Sequence, residues 1–145
     1  MNKLSTLAIA VITMFTCSFS CNKNNNLGYM TATVNGSTWT ANESLATQTT
    51  EGVTIQGTLH SSSGDYSNVA LYLPRNYSTG TYVFDSNINT AYASYIAHNY
   101  DNNISLAHIG TVNVTSVKPN ITGTFSFTCT DSTKIENGTF SIKAP

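Results

Sequence analysis

The sequence predicts an all-β fold: a single antiparallel β-sandwich, with a small β-barrel as the alternative, following an N-terminal signal peptide. Three observations carry that expectation. Alternating apolar and polar segments recur at roughly ten-residue intervals with turn residues between them, the spacing of a sandwich or barrel. Beyond Asn26 no helical period persists for a dozen residues. Ser, Thr and Asn supply 17, 23 and 17 of the 145 residues, so strand-forming Thr and turn-forming Ser and Asn dominate. Charge is scarce: 6 Lys and Arg against 7 Asp and Glu, 9% of the chain. That balance excludes a basic nucleic-acid binder and an acidic disordered tail, and the length allows one domain around one core.

Residues 1–21 read MNKLSTLAIAVITMFTCSFSC. Lys3 supplies a positive start, and Leu4 to Phe15 form an apolar stretch shorter than the ~20 residues that span a bilayer as a helix. A cleaved signal fits better than a permanent anchor. Ser18 and Ser20 stand third and first before Cys21, and the polar run Asn22-Lys23-Asn24-Asn25-Asn26 follows. That arrangement looks like a bacterial lipoprotein signal, in which Cys21 becomes the lipidated first residue. Cys17, behind the bulkier Phe15 and Thr16, is the rival site, and cleavage after Ser20 without lipid is the other alternative. The expected organisation is a signal peptide at 1–20, a lipidated cysteine and polar tether at 21–28, and a β domain at 29–145. Cysteine usage agrees: Cys17 leaves with the signal, Cys21 carries lipid, and Cys129 alone stays in the body, so no disulfide framework is expected. Cys129 itself reads as a small buried apolar side chain.

Residues 29–41 read as a hairpin. Asn35-Gly36 is a type I′ turn signal, because both central residues need positive φ. A two-residue turn there pairs Val34 with Ser37, Ala32 with Trp39 and Met30 with Ala41, leaving Thr31, Thr33, Thr38 and Thr40 on the opposite face. Trp39 is the expected core anchor. Val53, Ile55 and Leu59 alternate with Thr54, Gln56 and Thr58 in a second strand region. After the turn at 61–65, Tyr66–Leu73 resumes and Pro74 stops it, since proline cannot donate to a ladder. The turn at 78–80 leads into Thr81–Phe84. Residues 91–97 and 104–109 are short enough for strand or helical turn, with a turn by composition at 99–103. Ile109–Val117 and 121–130 are strands joined at Lys118-Pro119-Asn120, the second with Ile121, Phe125, Phe127 and Cys129 on one face. Ile135 and Phe140 are five positions apart, so a bulge at Asn137-Gly138 is needed to bring both inward.

The segments MTATVNGSTWTA, STGTYVF and ITGTFSFTCTDSTKIENGTFSI resemble a group of small Bacteroidota cell-envelope lipoproteins of uncharacterised function. The resemblance covers about Met30 to Ile142, with a variable middle. It implies an exported antiparallel β domain in the outer envelope and carries over no catalytic or ligand-binding residue. Surface-displayed members of the group often bear acidic residues soon after the lipidated cysteine. Asn22 to Asn26 include none, which favours an outer-membrane anchor facing the periplasm over surface display. Asp131-Ser132-Thr133 is similar to the short acceptor such bacteria use for O-glycosylation, making Ser132 a candidate attachment site beside its reading as a plain turn.

Chemistry-bearing constellations are sparse. The seven acids lie nearly all beside turn residues, where carboxylates cap backbone N–H groups, so no catalytic residue is assigned and no enzymatic activity is expected. His60, His98 and His108 have no metal-ligand spacing, and no metal or cofactor is expected. Asn99, Asp101 and Asn103 alternate oxygen side chains but lack the EF-hand spacing. Eight tyrosines in a weakly charged chain suit a neutral sugar-binding surface, with Tyr77, Tyr92, Tyr95 and Tyr100 as the candidates. The same rings also serve as strand formers and fillers at the core rim. The expected function is a lipid-anchored, exported, non-enzymatic binding or structural module. The alternatives are a carbohydrate-binding accessory lipoprotein and an inhibitor or immunity-type protein of an envelope enzyme. Expected partners are the membrane through the lipid and a glycan or another envelope protein, without nucleic acid.

Overall fold

The computed structural model describes residues 28–84, 91–99 and 101–145, with backbone alone at 98–99 and 101–103. The signal segment, Cys17, Cys21, most of the tether and Tyr100 lie outside the described residues. Ten strands follow in order: β1 (Gly28–Val34), β2 (Ser37–Thr40), β3 (Glu43–Gln48), β4 (Gly52–His60), β5 (Tyr66–Pro74), β6 (Gly80–Phe84), β7 (Tyr92–Asn99), β8 (Asp101–Ser116), β9 (Asn120–Cys129) and β10 (Lys134–Lys143). The protein is all-β. One antiparallel sheet in the order β2-β1-β10-β9-β8-β7-β5-β4-β3, with β6 paired to β8 beside that path, curls into a half-barrel.

The first hairpin has the predicted register, Val34 opposite Ser37 and Ala32 opposite Trp39, with Asn35 and Gly36 at φ 47° and 82°. In β10 the register shifts between Ile135 and Gly138, and the bulge returns Phe140 and Ile142 to the face of Ile135, all three buried. The two segments expected at 104–109 and 109–117 are a single 16-residue strand. Its first half pairs with β7; beyond a register shift between Ala107 and Ile109, Gly110 to Val114 pair with β6 and the opposite edge runs along β9. β8 therefore belongs to both layers, and two sheets are not needed to make them. The sequence reading assigned no strand at 43–48. Glu43–Gln48 has few β-branched residues, and Asn42 fixes it instead, receiving the His60 N–H at 2.9 Å and donating to the His60 carbonyl at 3.1 Å.

The inner faces meet in one core that includes Met30, Trp39, Ile55, Leu71, Phe84 and Phe140. Phe125 packs between Phe127 and Phe140, its centroid 6.2 Å from each. Contact between the layers is close where β4 passes β1: a Cβ on Gly57 would lie 2.9 Å from the Ala41 Cβ and 3.0 Å from the Met30 sulfur. A larger residue there fits only if Ala41 or Met30 gives way. The opposite faces carry the hydroxyls, and it is there that accessible chemistry lies.

Candidate functional site

The four candidate tyrosines do not form one cluster. Tyr92 and Tyr95 are three apart on β7, an odd separation that sends their rings to opposite faces of the sheet. Tyr95 turns inward against the core, where burial raises its pKa and the Ser67 hydroxyl partly offsets that rise. Tyr77 follows β5, its N–H bonded to the Pro74 carbonyl at 3.0 Å, and its ring also packs on the core. Tyr100 lies outside the described residues, as do the side chains of Asn99, Asp101 and Asn103. Tyr92 alone of the described three faces outward on the sheet.

Its neighbour there is a residue the sequence reading did not single out. Tyr72 on β5 stands directly opposite Tyr92, and the two rings stack with centroids 4.6 Å apart and planes 19° from parallel. Gly52 makes room for the pair, since a Cβ at that position would come within 2.9 Å of the Tyr72 phenol oxygen. Burial raises the pKa of both phenols. The Glu51 carboxylate adds to the rise at Tyr72, and Tyr72 itself adds to the rise at Tyr92. The registers place Thr54, Gln56 and Ser94 on the same outer face, along with Ala70, Leu106 and Ile104. The result is a stacked aromatic pair set among hydroxyls, an amide and aliphatic carbons, with the Glu51 carboxylate near Tyr72. Ring stacking limits rotation of both side chains, so less freedom remains to be lost when a ligand settles on them.

A second polar group sits at the end of β9. The Ser105 hydroxyl donates to the Asp131 carboxylate, which also accepts the Thr133 N–H at 2.9 Å. The Ser105 hydroxyl, chief among these bonds, holds the Asp131 carboxyl below its usual range. A carboxylate stabilised in that way is a weak base, and its bonds to Ser105 and Thr133 fasten the turn to β8. Ser132, the candidate glycosylation residue, is exposed in the turn with φ 71°, its N–H bonded to the Cys129 carbonyl at 2.9 Å. Cys129 is fully buried, and burial pushes its thiol up to about 12, far from the reactive thiolate range. Among the described residues no three His, Cys, Asp or Glu side chains gather as metal ligands. His60 and Glu43 form an exposed pair at 3.5 Å.

The β10 bulge shapes the third outward feature. Glu136 and Asn137 are consecutive exposed residues, after which Gly138 steps inward against the Phe125 ring. Between them and β8 and β9 lies a shallow, open depression of about 590 Å³, lined by Thr111, Thr124, Ser126, Thr139 and the two bulge residues, with Phe125 and Gly138 supplying apolar surface. A family model described as "Domain of unknown function (DUF6252)" matches residues 26–142. The chain belongs to this family. The DUF6252 match runs from just before β1 into β10, so the stacked tyrosines, the Asp131 turn and the bulge all fall inside it. No curated protein and no solved structure matches the chain.

Proposed function

We propose that the protein is an exported, lipid-anchored and non-enzymatic module of the cell envelope that binds a neutral glycan on the outer face of β4, β5 and β7. The stacked Tyr72–Tyr92 pair is the observation that carries this reading. Pyranose rings present C–H faces that pack on aromatic carbon, while equatorial hydroxyls seek neutral donors and acceptors at the rim. Thr54, Gln56 and Ser94 supply those around the pair. The anchor rests on Cys21: two or three acyl chains on one cysteine hold a protein stably where a single chain does not. The short tether then keeps the domain close to the membrane, on the periplasmic side of the outer membrane in this reading.

The test is a neutral-glycan array probed with the full chain purified in detergent, beside Tyr72→Ala and Tyr92→Ala. Binding that both variants lose supports the reading; silence across the array, or binding that neither variant changes, overturns it. Mass spectrometry of the mature N-terminus tests the anchor separately, and an unmodified Cys21 or a Cys17 start removes it. A protein partner, such as an envelope enzyme that this module would inhibit, is the second reading. It is favoured by the exposed aliphatic side chains Val83 (57%), Leu106 (43%) and Ile109 (60%) on the outer side of β6 and β8.

A further inference from the structure

The outer face of β2, β1, β10, β9, β8 and β6 carries a cross-strand rank of short polar side chains. The registers set Thr40 opposite Thr31, Thr31 opposite Thr139, Thr139 opposite Thr124, Thr124 opposite Asn113 and Asn113 opposite Thr81. Six strands at about 4.8 Å spacing extend this rank over roughly 24 Å. The depression at the β10 bulge opens beside its middle. There the chain offers unused hydrogen-bonding capacity. Thr31 and Thr139 share a bond at 2.9 Å, but the side chains of Thr111, Thr124, Ser126, Glu136 and Asn137 make no hydrogen bond or ion pair among the described residues.

We propose that this depression is a second binding site, for a neutral oligosaccharide lying across the strands. The Glu136 carboxylate accepts hydrogen bonds from two adjacent sugar hydroxyls, the charge-assisted kind that holds best against water. Asn137 donates and accepts beside it, and the threonine and serine hydroxyls serve either role. Anionic ligands are disfavoured, because the one charge lining the depression is negative and no cation lines it. A divalent cation is disfavoured too, since one carboxylate falls short of the six to eight oxygens that calcium takes. The site stands on the opposite layer from Tyr72 and Tyr92 and does not depend on them.

The experiment is amide chemical-shift mapping of the full chain in detergent micelles, titrated with cellohexaose, maltohexaose and xylohexaose, and with an oligogalacturonate as the anionic control. The expected result is that at least one neutral hexasaccharide shifts the amides of Thr124, Ser126 and Gly138, with affinity about tenfold weaker in Glu136→Gln and in Thr124→Val. Tyr92→Ala leaves those shifts in place while removing any at Ser94, which separates this site from the tyrosine face. No shift at the three amides with any neutral hexasaccharide overturns the proposal, as does a response to the anionic control alone. So does a response that both depression variants retain at full strength. Trp39 emission, unchanged in each variant, verifies that the fold is intact.

Discussion

Trp39 donates its indole N–H to the Ser67 hydroxyl at 2.8 Å, tying β2 to β5 across the half-barrel although the two strands lie far apart in the sheet order. The indole is 4% exposed, so water does not replace Ser67 as its partner. Ser67→Ala therefore leaves a buried donor unpaired and is expected to cost about 1–2 kcal/mol. Ser67→Thr keeps the hydroxyl and loses less. Urea unfolding followed by tryptophan emission measures both, because Trp39 is the single tryptophan and its signal has no other source.

The stacked phenols give an alkaline signature. Burial first, then the Glu51 carboxylate at Tyr72 and the neighbouring Tyr72 at Tyr92, hold both above the ordinary tyrosine value. A raised folded pKa favours the protonated phenol in the native state. Its contribution is thus full below the unfolded value near 10 and is lost as pH rises through the folded values. Tyr72→Phe removes the phenolate that Tyr92 would face, so Tyr92 should titrate lower than in the parent, though still above the ordinary value because burial remains. An NMR titration of the Tyr92 ring carbons in the two proteins reads this directly, since absorbance would sum all eight tyrosines.

These relationships differ in how far the sequence reveals them. The Asn35-Gly36 turn and the Asn137-Gly138 bulge are local: φ preference and the five-residue gap between Ile135 and Phe140 specify each one within a few residues. Strand β3 was illegible, because its propensity is weak and the bonds from Asn42 to His60 that fix it span 18 residues. The Tyr72–Tyr92 pair depends on β5 lying beside β7 in one register among many, and a one-residue slip would send Tyr92 to the other face. The tyrosines singled out by nearness in sequence were divided between faces by the strand period itself. The depression needed three strands and a bulge to coincide, and composition revealed only that hydroxyls would be abundant on the outside.

Cys129 is the third point of test. Its thiol is fully buried, with burial first and the Asp131 carboxylate second raising its pKa to about 12. At mildly alkaline pH almost no thiolate is present and reagents have no path to it. Thiol labelling of the folded chain should proceed only as fast as the domain opens, and urea that unfolds the protein should release one rapidly reacting Cys129. Prompt labelling under native conditions, resolved from Cys17 and Cys21 by peptide mass, would contradict the burial of Cys129.

Asp131 is held below the ordinary carboxyl value by the Ser105 hydroxyl foremost, with bonds from Thr133 adding to it and burial opposing. A depressed folded pKa means that the unfolded chain binds the proton more readily. The stabilisation is therefore complete above the unfolded value near 3.9 and disappears as pH falls through the lower folded value. Ser105→Ala removes the main donor, so the Asp131 carboxyl should move back up toward its ordinary value in a carboxyl NMR titration. The carboxylate is exposed and solvent-screened, which limits the loss at neutral pH to about 1 kcal/mol. The difference between parent and variant should narrow in acid, as falling pH protonates Asp131 in the parent as well. Urea midpoints at neutral pH and near pH 2 supply the comparison. A gap that persists unchanged in acid would assign the loss to the packing of Ser105 and not to its bond with the carboxylate.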